Sequence, residues 1–202
     1  MELERALHQI SEIHSHLARS EVYRGCRSLP LAIAGFVALI AAALQGFVFV
    51  PGTATAFVQY WVVIAALCGA LSSCETLYKY VFRDGALLRL KTRRAVGQFL
   101  PCLLAGAAVT LCVGRAGEEA VTLVPGLWAI LFSMGIFASR PYLPRAIGWV
   151  GLFYLVAGVA LLLLAPSGLS LAPWGMGITF GIGQLSSAVV LYWNIERAVD
   201  HD

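Results

Sequence analysis

Charge is what this sequence has least of. Only 12% of its 202 residues are Asp, Glu, Lys or Arg, against roughly 25% in a soluble domain. Several stretches of about 20 residues, the length a membrane-spanning helix needs, carry no charge at all. With 59% apolar residues and a mean hydropathy of +0.80, the chain reads as an integral membrane protein and not as a soluble domain.

Further absences narrow the chemistry. No Lys, Arg or His lies near the middle of an apolar run, which argues against an ion-coupled carrier built on buried charge pairs. His8, His14, His16 and His201 all fall outside those runs, so the axial ligands of a membrane haem are missing. His8, Glu12 and His16 share a helical stripe, which reads as a solvated polar face and not as a zinc site. Cys26, Cys68, Cys74, Cys102 and Cys112 form no CxxC pair and are expected as free thiols packing like small hydrophobes. There is no Gly-rich phosphate loop, nucleophile elbow, HExxH or pair of intramembrane acids. Most enzyme classes therefore lack their equipment, and no metal or cofactor is expected.

What the sequence does have is six apolar runs, at about 30–50, 57–78, 98–114, 121–139, 145–165 and 173–194. In lipid such runs satisfy their backbone polar groups only as helices. The expected fold is an all-α, six-helix transmembrane bundle over residues 29–198, preceded by a cytoplasmic amphipathic helix within 1–28. The first run follows a polar arm without a small-residue cleavage site and so reads as an anchor, not a signal peptide. All of the 14 basic residues except Arg115 fall on one side of this arrangement. By the positive-inside rule both termini are cytoplasmic, in a multi-pass protein of a bacterial cytoplasmic membrane. The basic stretch RLKTRRAV suits the anionic lipid surface on that side, and no nucleic-acid partner is expected. The link from Phe82 to Gln98 suits a short interfacial helix.

The chain also repeats itself. GALSSCETLYKY (from Gly69) and GQLSSAVVLYWN (from Gly183) align at an offset of 114 residues, as do Leu29-Pro-Leu-Ala-Ile and Leu143-Pro-Arg-Ala-Ile. Leu100-Pro-Cys-Leu-Leu-Ala-Gly and Gly135-Ile-Phe-Ala-Ser echo the two ends in the middle of the chain. Three two-helix hairpins of one orientation follow, each opened by Leu-Pro, where proline suits the first helical turn. Mitochondrial-type carriers share that hairpin count, but their charged Pro-x-[DE]-x-x-[KR] signature is absent after Pro30, Pro101 and Pro144.

Gly69, Ser72, Ser73 and Thr76 lie on one helical face, as do Gly183, Ser186 and Ser187. Gly135 with Ser139 keeps the small-xxx-small spacing, and Gly177 with Gly181 forms GxxxG. Small residues let helices approach closely in lipid, so Gly69, Gly135, Gly177, Gly181 and Gly183 are expected at helix contacts. A cavity lined by Ser72, Ser73, Gln184, Ser186 and Ser187 is the alternative use of those faces, for a small neutral or apolar solute. Glu75 is the only acid within a run; it sits about 27 Å along from Phe57 at 1.5 Å per residue, near the cytoplasmic edge, with Lys79 four residues on. It is an interfacial paired acid or the site of a lipid-processing enzyme. The remaining amides in the runs, Gln45, Gln59, Gln98 and Gln184, suit interhelical hydrogen bonds.

Outside the bilayer one element is periodic. Leu3, Ile10 and Leu17 recur every seven residues, with Ala6, Ile13 and Ser20 between them and Leu7 alongside. That stripe covers either the bundle and its lipid interface, or a partner subunit or second copy through residues 3–20. The leading expectation is a non-enzymatic sensor, regulator or accessory subunit acting through this helix and the basic face.

Overall fold

The computed structural model describes residues 28–47, 52–82 and 86–197. Regular structure among them is entirely helical. Six helices are long and apolar enough to cross a membrane: Ser28–Phe47, Ala54–Phe82, Thr92–Gly114, Glu118–Tyr142, Ile147–Ser167 and Pro173–Asn194. The N-terminal arm with its heptad stripe, the four histidines and Cys26 lie outside the described residues.

The helices are α1 (Ser28–Phe47), α2 (Ala54–Phe82), α3 (Ala86–Gly114), the single turn α4 (Glu118–Val121), α5 (Val124–Ser139) and α6 (Ile147–Leu164). The sixth span begins as α7 (Pro173–Met176), loosens into a π-helical stretch (Gly177–Ile182), tightens again as α8 (Gly183–Leu191) and ends in a second π-helical stretch (Tyr192–Glu196). Proline opens α5 and α7, where its missing N–H has no partner to lose. Gly168 turns the chain from α6 towards the sixth span at φ 73°, a conformation that favours glycine.

One expectation is corrected here. Pro101 does not open a helix: it lies inside α3, which begins at Ala86 and runs unbroken through it. The expected interfacial helix is thus the first part of the third span itself. Proline removes one backbone hydrogen bond from a helix interior, but in lipid the chain keeps every other such bond by staying helical.

The sixth span packs between α1 and α6, α5 between α6 and α3, and α2 at the outer edge of α1. Two clasps hold the inner helices. A Cβ on Gly35 of α1 would lie 2.9 Å from the carbonyl oxygen of Gly181, and one on Gly181 would lie 3.3 Å from that of Gly35. Gly126 of α5 and Gly158 of α6 repeat this, at 2.8 and 2.9 Å from each other's carbonyl oxygens. In each clasp every glycine also receives the branched side chain four residues beyond its partner: Leu185 on Gly35, Leu39 on Gly181, Leu162 on Gly126 and Ile130 on Gly158. Helical side chains lean towards the N-terminus, so a residue at i+4 covers the level of residue i. Gly-x-x-x-Leu/Ile is thus a hole and its own knob, and two copies close on each other.

Hydrogen bonds pin one of these clasped pairs and two further helix pairs. Ser133 donates to the Gly151 carbonyl at 2.7 Å, Trp128 Nε1 to Thr110 Oγ1 at 2.8 Å, and Tyr60 Oη to the Ala41 carbonyl at 2.8 Å. At the loop end, Glu118 accepts from the Thr55 N–H at 3.1 Å and the Thr55 hydroxyl at 2.7 Å, so an acid from the link after α3 caps the first turn of α2. An anion there also suits the helix dipole.

Candidate functional site

The residues singled out in the sequence divide sharply. Gly135 is walled by Phe99 and Cys102 of α3, with a Cβ placed 2.7 Å from the Phe99 ring. Gly177 sits against Ala42, Gly181 in its clasp with Gly35, and Gly183 directly beneath the Tyr154 ring and hydroxyl. These four are helix-contact glycines. Gly69 is not: it is exposed, and a Cβ there would meet nothing within 4 Å.

The physical reason lies in how α2 leaves the bundle. Its buried residues are Phe57, Val58 and Trp61, all in its first eight positions. Beyond them, Ile64, Cys68, Ser72, Glu75, Thr76 and Tyr80 are partly buried, and no described residue of the helix is fully so. Ser73, Leu71 and Leu77 are exposed. On the sixth span the matching serine, Ser187, is buried and donates to the Gly183 carbonyl at 2.9 Å; Ser186 and Gln184 are partly buried. The α8 part of the sixth span packs on α1 and α6, with no comparable contact to α2 among the described residues. The two serine sets therefore do not meet in one cavity. Glu75 stays in α2, partly buried, and the Lys79 side chain lies outside what is described.

A repeated motif thus has two fates. Gly183-x-x-x-Ser187 has a hole but no knob of its own, because position i+4 is serine where the clasps have leucine or isoleucine. Its hole is filled by Tyr154 from α6. Gly69-x-x-x-Ser73 has the same hole, and nothing in the described chain fills it.

Three buried polar atoms have no hydrogen-bond partner among the described residues: Gln45 Nε2, Tyr154 Oη and Gln184 Oε1. Of these only the Gln184 amide was singled out with the serines. The signal for Gln45 was an amide near the end of the first apolar run, and for Tyr154 a single hydroxyl in the most apolar one. Cys68, Cys74, Cys102 and Cys112 are free thiols, and no group of three His, Cys, Asp or Glu suited to a metal occurs among the described residues.

No family model, no curated protein and no solved structure matches this chain.

Proposed function

We propose that this chain is a non-enzymatic accessory or regulatory subunit, spanning a bacterial cytoplasmic membrane six times with both termini inside, which docks a transmembrane helix of its target against α2. The spans are read as three duplicated hairpins of one orientation. The observation that carries the proposal is the open Gly69–Ser73 face, set against its filled copy at Gly183–Ser187. Where the same motif is satisfied within the chain, a bulky aromatic side chain lies over the glycine. The partner helix is therefore one that presents a large side chain to Gly69, as α6 presents Tyr154 to Gly183. Close approach at a small residue is what drives helix association in lipid.

The basic side supports the same reading. Arg89, Arg93 and Arg94 are exposed along the start of α3, with the Arg89 guanidinium 5.8 Å from the Tyr80 ring centroid. Arg89 also donates to the Val81 carbonyl at the end of α2, and together with the amphipathic helix over residues 3–20 these arginines supply a cytoplasmic contact for the target or its lipid surroundings.

A photo-crosslinking side chain at position 73 tests this in native membranes. A discrete protein adduct is expected that persists in Gly69→Ala and is lost in Gly69→Leu, with the thermal midpoint of the purified chain unchanged in both. An adduct at twice the chain's own mass would replace the target by a second copy. Lipid adducts alone, or a protein adduct indifferent to Gly69→Leu, would overturn the proposal.

A further inference from the structure

Arg140 and Arg145 are the only charged residues between Glu119 and Glu196. Both lie in the link from α5 to α6, and both are exposed. Neither guanidinium has a hydrogen bond or ion pair among the described residues. Arg140 follows the last residue of α5 but does not cap it, as Arg89 caps α2 through the Val81 carbonyl at 3.0 Å. Its side chain reaches across to α6 instead. A Cβ on Gly148 would lie 3.4 Å from Arg140 Nε, 3.5 Å from its Cζ and 3.8 Å from its Nη2, the three atoms nearest to that point. The Gly148 N–H donates to the Arg145 carbonyl at 3.2 Å. In such a turn residues i and i+3 are eclipsed, so Arg145 leaves the chain beneath Gly148, on the side that Arg140 occupies. Trp149, the next residue, is 75% exposed.

We infer that Arg140 and Arg145 together bind the phosphate of an anionic phospholipid, with Trp149 seated among the neighbouring headgroups. Two guanidinium groups on one face repel each other, and no acid of the link, of α5 or of α6 offsets them. The counter-charge comes from outside the chain. Arginine grips a phosphate bidentately, where lysine offers only a point charge. An exposed tryptophan at the start of a spanning helix sits at the level of the lipid headgroups, which fixes the depth of the pair beside it. A headgroup with its own ammonium would add a further cation to the site, so the fit is to a lipid such as phosphatidylglycerol. The cytoplasmic leaflet, where the orientation proposed above puts this link, is the anionic one. The site uses no residue of the α2 face, so its failure would leave the expected adduct at position 73 untouched.

The test uses the full chain in detergent micelles, with retained lipids counted by native mass spectrometry. The probes are phosphatidylglycerol, phosphatidylethanolamine and diacylglycerol with matched acyl chains. A single phosphatidylglycerol is expected to stay bound, and the other two to be retained only weakly. Arg140→Gln and Arg145→Gln should each weaken that lipid about tenfold, the factor for one charge-assisted hydrogen bond. Arg115→Gln removes the same charge at the opposite end of the bundle and should leave binding unchanged. Gly148 separates the site from net charge. Gly148→Ala brings a methyl into contact with Arg140 and should bind as the wild type does, whereas Gly148→Leu displaces the guanidinium and should also lose about tenfold. The atoms nearest to the added side chain belong to the flexible end of Arg140, so the thermal midpoint should stay where it was. Equal retention of phosphatidylglycerol and phosphatidylethanolamine, equal losses in Arg115→Gln and Arg140→Gln, or full binding in Gly148→Leu would overturn the proposal. So would displacement of the lipid by excess inorganic phosphate, which would assign a free anion instead.

Discussion

Leucine in place of Gly126 is expected to destabilise the bundle by about 3 kcal/mol, at the upper end of ordinary overpacking costs, whereas leucine in place of Gly69 should stay within about 0.5 kcal/mol, as surface changes do. Both are glycines inside apolar spans, and no composition rule separates them. At Gly126 the first added carbon already lies 2.8 Å from the Gly158 carbonyl oxygen and 2.7 Å from Leu162 Cγ. A side chain could turn aside, but the carbonyl belongs to a helix backbone and cannot move without its helix. Parting α5 from α6 would unseat Ile130 from Gly158 and stretch the buried Ser133 to Gly151 hydrogen bond of 2.7 Å. The two glycines share one contact, so Gly158→Ala should add little once Gly126→Leu has opened it. Thermal denaturation in detergent checks this: equal midpoints for the Gly126 and Gly69 variants would show that the clasp does not hold the helices.

That contrast marks where sequence reading stops. The six spans were legible because lipid leaves a long apolar run one way to satisfy its backbone. The expected 173–194 is Pro173–Asn194, and the expected 30–50 is Ser28–Phe47. Which face of each helix is buried was far less legible. In water a polar stripe marks the outer face, but a lipid-facing position such as Leu71 or Leu163 is as apolar as a packed one such as Leu161. Only polar and very small residues then carry information, and they do so ambiguously. GALSS and GQLSS are nearly the same words, yet one lies under Tyr154 and the other lies open. What differs is a neighbouring helix, which the motif does not encode. The clasps left a stronger trace: Gly35-Phe-Val-Ala-Leu, Gly126-Leu-Trp-Ala-Ile, Gly158-Val-Ala-Leu-Leu and Gly181-Ile-Gly-Gln-Leu share glycine with a branched residue at i+4. Of these four glycines only Gly181 was picked out, because attention to small-xxx-small spacing hides the knob that accompanies the hole. The unbroken α3 was missed for a related reason, since proline was read by its habits in water.

Tyr154→Phe is expected to stabilise the protein by about 1 kcal/mol, and Tyr154→Ala to destabilise it by about 3–5 kcal/mol, the usual range for an aromatic core truncation. The ring is fully buried at the centre of an aromatic cluster, with centroids 4.9 Å from Phe132, 5.5 Å from Phe180 and 5.8 Å from Phe153. It joins α5, α6 and the sixth span, and it covers Gly183. Removing it would empty the hole of one motif copy and loosen the seat of the sixth span on α6. The hydroxyl is a separate matter. It has no hydrogen-bond partner among the described residues, and an unsatisfied buried polar group costs about 1–3 kcal/mol. Phenylalanine keeps the ring contacts and discards that cost, offset in part by the small gap left above Gly183. Denaturation midpoints of the two variants decide the question. If Tyr154→Phe instead lowers the midpoint, the phenol has a bound water or other partner deep in the bundle, and the centre of this protein is polar where its sequence is most apolar.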